Sequence, residues 1–161
     1  MATITDESRV AQGGGQFLTF KLGPEEYAIE ILRIQEIKGH SRITPIPNTP
    51  AYLKGVINLR GTVVPVVDLR CRLGMPETSD MRFSAIVVVT VGAKIVGLFV
   101  DEVSDVADIQ HAEVQAPPEF GAHAETRFIA GLVHVGERLI VLLSLDTILR
   151  DDPAPPLPNR A

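Results

Sequence analysis

Ile46-Pro47-Asn48-Thr49-Pro50-Ala51-Tyr52-Leu53-Lys54-Gly55-Val56-Ile57-Asn58-Leu59-Arg60-Gly61-Thr62-Val63-Val64-Pro65-Val66-Val67-Asp68-Leu69 is the stretch that decides the fold. Its two apolar, β-branched runs, 56–59 and 63–67, flank Arg60-Gly61, which spells a β-hairpin. Pro65 inside the second run predicts an edge strand or a bulge. The same signature recurs downstream. Ala85–Val91 and Ile95–Val100 flank Gly92-Ala93, and Leu132–Val135 and Leu139–Leu143 flank Gly136-Glu137. Upstream, residues 17–22 alternate apolar and polar side chains as a half-buried strand does, and Tyr27-Ala28-Ile29 follows the turn residues Gly23-Pro24. Helical signals are few: Asp68 can cap a short helix ending at Gly74, and residues 144–149 can form another. The fold class is all-β with short helices.

An internal repeat organises these strands. With residues 17–37 written above 86–106, Phe17 falls on Ile86, Leu18 on Val87, Phe20 on Val89, Gly23 on Gly92, Ile29 on Leu98, Ile34 on Val103 and Ile37 on Val106. With 55–69 above 131–145, Gly55 falls on Gly131, Val56 on Leu132, Val63 on Leu139 and Leu69 on Leu145. Two halves of about five strands follow, expected as 16–80 and 81–150 with the cut near 80–86. Halves this small bury little surface alone and should lean on each other, leaving a groove between them as the natural binding place. Ile34, Ile37, Val103 and Val106 are the candidate groove walls. The glycine-ended segment 1–15 and the proline-rich segment 151–161 are expected to be disordered tails.

Bulk properties narrow the function. Hydrophobic residues at 45% and charged residues at 22% allow an ordinary soluble core. A net charge of −5 argues against a phosphate-backbone partner, and with no Trp there are few platforms for stacking bases. One cysteine, Cys71, makes no internal disulfide, which fits a reducing compartment. The N-terminus has no apolar signal region, and no apolar run is long enough to cross a bilayer, so a cytoplasmic protein without direct membrane insertion is expected.

Catalytic apparatus is not evident. His40, His111, His123 and His134 never take metal-ligand spacing, and no phosphate-binding glycine loop or nucleophile elbow is present. Carboxylate pairs such as Asp101-Glu102 and Asp105/Asp108 could do acid–base work, and a small β-barrel hydrolase or transferase using the carboxylates at 101–108 is the rival reading. A solvated acidic face explains the same residues. Two other charges stand out: Glu36 among the apolar residues 34–37, and Arg60 at the hairpin tip. An outward strand residue and a turn residue are the plain readings. A charge beside exposed Ile and Val is also how an interface core carries an orienting group.

The chain resembles the CheW family of chemotaxis coupling proteins. The likeness runs through residues 27–37, 46–70, 96–106 and 129–132, and covers about 16–150; its most specific part is the N-T-P…K-G-V-I-N-L-R-G…P-V-V-D-L run. The resemblance implies two SH3-like five-stranded β-barrels packed together and no enzymatic activity, and the residue spacings above lead to the expectation of no cofactor and no metal. It implies an adaptor that joins methyl-accepting chemotaxis receptors to the regulatory domain of a CheA-type histidine kinase, recruited to receptor arrays at the inner face of the membrane. The kinase's regulatory domain shares this fold, but 161 residues contain no kinase, dimerisation or phosphotransfer segment. Partner-binding candidates on the matching stretches are Lys54, Gly55, Asn58 and Arg60 together with Glu36, beside the four groove positions.

Overall fold

A computed structural model of the chain describes residues 15–39, 41–76, 81–110, 113–116 and 128–150. The expected tails lie outside the described residues, apart from Gly15. The described residues form ten strands: β1 (Gly15–Leu22), β2 (Glu25–Glu30), β3 (Ile34–Lys38), β4 (Leu53–Leu59), β5 (Thr62–Asp68), β6 (Ala85–Val91), β7 (Lys94–Val100), β8 (Glu102–Ile109), β9 (Ile129–Val135) and β10 (Arg138–Leu143). A 3-10 turn (Ile31–Arg33) links β2 to β3, and short helices α1 (Leu69–Arg72) and α2 (Leu145–Arg150) follow β5 and β10. Asp68 caps α1 as expected, accepting a hydrogen bond from the Arg70 N–H at 3.1 Å. Cys71 sits half-buried in that helix.

The predicted hairpins form in register. At the β4–β5 tip, Arg60 and Gly61 take φ of 51° and 91°, the left-handed pair that a two-residue turn needs to match strand twist. The Asn58 side-chain oxygen accepts from the Gly61 N–H at 2.7 Å and stabilises this turn, in which Arg60 lacks glycine's freedom. Pro65 does not mark an edge strand, because β5 lies between β4 and β7. Its missing donor is tolerated because the parallel pairing to β7 begins one residue later, at Val66. The irregularity falls in the neighbouring strand, where the β4 register shifts between Leu53 and Gly55.

Two five-stranded sheets result, ordered β8-β1-β2-β10-β9 and β3-β6-β7-β5-β4. The repeat matches β1–β5 with β6–β10, so both sheets have the same strand order in repeat terms. Each nevertheless combines the first hairpin of one half with the last three strands of the other. The division at 80–86 into halves 16–80 and 81–150 therefore does not separate the barrels. The chain crosses between them at Ile31–Arg33 and again at Asp101. The inserted barrel is the continuous stretch β3–β7, and the split barrel joins β1–β2 to β8–β10. The reason is geometric. Within one sheet the third strand would lie parallel to the second, and a parallel return needs a crossover of about a dozen residues. Three residues, or one, allow the chain only to run onward into the neighbouring barrel.

This exchange creates three apolar clusters. Phe17, Ala28, Val133, Ile140 and Leu142 fill the split barrel. Ile57, Val64, Val66, Ile86 and Val88 fill the inserted one. The largest lies between them, with Leu18, Phe20, Leu22 and Ile29 from one barrel meeting Val87, Val89, Val96 and Leu98 from the other. Strand β6 serves both sides, Ile86 and Val88 inward and Val87 and Val89 toward the seam, which explains its unbroken apolar run. Arg72 locks the seam. Its guanidinium lies over Tyr52 at 4.6 Å and Phe128 at 4.9 Å and donates to the Ile148 carbonyl at 3.1 and 3.0 Å.

Both barrels close in the same way. Beyond β3, Thr44 exchanges two backbone hydrogen bonds of 2.9 Å with Val56 of β4; beyond β8, Gln115 exchanges two of 2.8 Å with Leu132 of β9. The glycine next to each bridge is one of the aligned pair, Gly55 or Gly131. A Cβ on Gly55 would overlap the Thr44 carbonyl oxygen, and the residue holds φ of 151°. A Cβ on Gly131 would come within 2.5 Å of a Val114 methyl. Gly55→Ala should therefore destabilise the fold by about 2 kcal/mol or more, as overlap and backbone strain combine. Gly131→Ala should cost less, because its severe overlap is with a side-chain methyl, which can move, while the Gln115 carbonyl oxygen lies farther off at 3.1 Å. Urea unfolding of the two variants beside the parent measures the difference, and an equal, small cost for both would contradict this account of closure.

Candidate functional site

Seven of the nine candidate residues lie on the inserted barrel: Ile34, Glu36 and Ile37 on β3, Lys54, Gly55 and Asn58 on β4, and Arg60 in the following turn. Val103 and Val106 lie on β8 of the split barrel. β3 and β4 end opposite sides of the sheet order, and barrel closure brings them together. The Arg60 guanidinium then spans to the Glu36 carboxylate, Nη2 to Oε1 at 3.0 Å and Nη1 to Oε2 at 3.5 Å. Arg60 keeps 71% of its side chain in solvent and Glu36 27%. Such a pair is screened, so it adds about 0–1 kcal/mol to folding. Ile37, next to Glu36, and Val63, on the arm of the same hairpin, are exposed apolar residues.

The other candidates divide by role. Lys54 places its ammonium over the Phe99 ring at 4.6 Å, Gly55 makes room for barrel closure, and Asn58 holds the tip. Ile34 and Val103 are partly buried against the core between the barrels, whereas Ile37 and Val106 face outward. A shallow cavity of about 290 Å³ opens beside this seam, lined by Leu32, Arg33, Thr90 and Gly92, none of them among the four expected walls.

Several interacting charges escaped the sequence reading. The Arg70 guanidinium grips Asp101 with Nε to Oδ1 at 2.9 Å and Nη2 to Oδ2 at 2.7 Å, and the Gly23 N–H donates to Oδ2 at 2.7 Å. The Asp101 hydrogen bonds push the Arg70 pKa up, against the effect of desolvation. Arg138 makes a fork to Glu26 at 3.0 and 2.7 Å and reaches Asp105 at 3.4 Å. The hydrogen bonds to Glu26 are the main cause raising the Arg138 pKa. The Thr19 hydroxyl, wholly buried, meets the Asp105 carboxylate at 2.6 Å and holds it below the usual carboxylate range, with Arg138 adding to the effect. The repeat carried a signal for this site, since it sets Asp105 on Glu36. The partners Thr19 and Arg138 are distant in sequence and left no local trace.

These contacts bear on the acid–base reading. A carboxylate with a depressed pKa is a weaker base, and Asp101 is held between a guanidinium and a backbone N–H. Among the described residues no group of three or more His, Cys, Asp or Glu could hold a metal ion. His40, His111 and His123 lie outside the described residues. Among the described residues no helix is long and apolar enough to cross a membrane.

Comparison with known proteins matches residues 16–152 to the family model described as CheW-like domain. The chain is 38% identical over 154 residues to chemotaxis protein CheW of Klebsiella aerogenes, covering 94% of this chain and 93% of that protein. It is 37% identical over 139 residues to chemotaxis protein CheW of Rhizobium meliloti, covering 86% and 90%. The crystal structure of scaffolding protein TtCheW from Thermoanaerobacter tengcongensis superposes with a TM-score of 0.77 at 30% identity, covering 84% of this chain and 87% of that one.

If Asp101 serves the fold, Asp101→Asn should lower stability by about 2 kcal/mol, since a charged acceptor is lost and Arg70 stays half-buried without its counter-charge. Thermal melting in low and high salt checks this. The folded-state pKa of Asp105 lies below its unfolded value, so its contribution to stability is present above about pH 4 and disappears as pH falls through the folded value. Asp105→Asn should flatten that part of the acid-unfolding profile, and an unchanged profile would contradict it.

Proposed function

The chain belongs to the CheW-like domain family, and from that premise we propose that it is a non-catalytic adaptor. It couples methyl-accepting chemotaxis receptors to the regulatory domain of a CheA-type histidine kinase, in the cytoplasm at receptor arrays. The family match over nearly the whole described chain supports the scaffold role. The observation that carries the site is the Glu36–Arg60 pair, exposed and set on an apolar strand and a hairpin tip beside Ile37 and Val63. An exposed pair adds too little to folding to explain itself by stability. Paired charges on a docking face fix register and reject wrong partners more than they add raw affinity.

In this reading the receptor's helical hairpin lies along the seam between the barrels, by helix-in-groove packing, with Ile34, Ile37, Val103 and Val106 supplying apolar contact. Lys54, Gly55, Asn58 and Arg60 form the hairpin that presents the charge. The kinase domain packs barrel to barrel elsewhere, a heterologous contact that closes into a ring when the rotation permits.

Glu36→Ala and Arg60→Ala should fold normally, with melting curves near the parent, yet weaken ternary assembly with receptor-containing membranes and kinase several-fold in co-sedimentation. Charge reversal at either site should cost more than truncation, and the double reversal should restore part of the loss because the pair is direct. Normal assembly by both folded single variants, or unfolding that accounts for the whole defect, would sink the proposal.

A further inference from the structure

The repeat sets Thr19 on Val88 and Glu36 on Asp105, and the structure shows that these four residues occupy one irregularity built twice. In the inserted barrel the β3–β6 register shifts between Ile34 and Glu36, so that Gln35 is extra and Glu36 faces Val88. In the split barrel the β1–β8 register shifts between Leu18 and Phe20, so that Ser104 and Asp105 both face Thr19. Each is a β-bulge that turns a carboxylate outward at the same step. Thr19 and Val88 are both wholly buried, and their side chains have the same shape except that one has a hydroxyl where the other has a methyl.

That difference accompanies two fates of the carboxylate. The Thr19 hydroxyl accepts from the Asp105 backbone N–H at 3.1 Å and lies 2.6 Å from its carboxylate, the shorter of its two acceptor contacts. Asp105 is thereby held on its own barrel, where Arg138 also reaches it at 3.4 Å, and its side chain stays 57% exposed. The Val88 side chain has no polar hydrogen to donate, and Glu36 instead reaches across the barrel closure to Arg60, a position the repeat fills with Gly136 in the other barrel. We propose that the buried residue opposite the bulge is a positioning residue that decides which barrel offers a carboxylate to a partner: Val88 leaves Glu36 to the hairpin-tip pair, and Thr19 ties Asp105 down. This rests on the reading of Glu36–Arg60 as partner-facing and adds what places that pair.

Isosteric exchanges in the full chain test it. Val88→Thr introduces a hydroxyl under Glu36 and should weaken ternary co-sedimentation about as much as Glu36→Ala does, while Arg60→Ala made on top of Val88→Thr should cause little further loss. Thr19→Val should raise the Asp105 midpoint, followed by carboxyl NMR titration, toward that of an ordinary aspartate, and Thr19→Ser, which keeps the hydroxyl, should not. A folded Val88→Thr that assembles like the parent while Glu36→Ala assembles poorly would overturn the positioning role and leave the partner reading standing. Normal assembly by folded Glu36→Ala and Arg60→Ala would remove the partner reading, and the positioning role with it. An unmoved Asp105 midpoint in folded Thr19→Val would overturn the role of Thr19 without reference to any partner, and that arm decides even if Val88→Thr does not fold.

Discussion

Between the second and third strands of the repeat the chain has too few residues to turn back: three at Ile31–Arg33 and one at Asp101. A strand lying parallel to its predecessor in the same sheet would have to return along that predecessor's whole length, which for a six-residue strand is about 20 Å. The chain runs straight on instead, and each first hairpin is completed by strands from the other half. The two barrels are thus covalently interlaced, and neither repeat half can close a barrel alone.

Interlacing dictates the packing. The first hairpin of each half has its own barrel on one face and the neighbouring barrel on the other, so β1, β2, β6 and β7 contribute the seam residues Leu18, Phe20, Ile29, Val87, Val89 and Leu98. A small barrel has little interior, and the seam cluster supplies the burial that each barrel lacks by itself. Closure then depends on the aligned glycines. Backbones at Thr44–Val56 and Gln115–Leu132 approach closely enough to share paired hydrogen bonds because no side chain stands between them at Gly55 and Gly131.

The same closure assembles the charged face. Only when β3 and β4 meet across the barrel does Arg60 come within reach of Glu36. The charges that stabilise the framework lie elsewhere. Arg70 and Asp101 sit at the second crossing, and Arg33, at the first, pairs with Asp146 at 3.2 Å. The Asp101–Arg70 pair is 18% and 13% exposed against 27% and 71% for Glu36–Arg60. That contrast separates ion pairs that fasten the barrels together from pairs displayed to solvent, among which Arg138–Asp105 is 40% and 57% exposed.

The sequence by itself determined most of the strands, the hairpin turns, the capped helix after Asp68 and the repeat, because each depends on neighbours a few residues away: alternation, a left-handed turn residue, a side chain reaching an N–H two or three residues on. It did not mark β8, whose carboxylates at 101–108 read as a turn-like, solvated acidic face. It also marked Glu36 and Arg60 as out of place in their local setting. The tertiary structure alone decided which strands pair. Antiparallel hairpins are local, but the parallel pairings β2–β10 and β5–β7 join segments from distant parts of the chain, and alternation looks the same whichever partner a strand takes. For that reason the cut expected at 80–86 moved to 31–33 and 101, and Pro65 proved compatible with an inner strand. It also settled that Glu36 meets Arg60 while Asp105 meets Thr19, a contact between residues 86 apart in sequence.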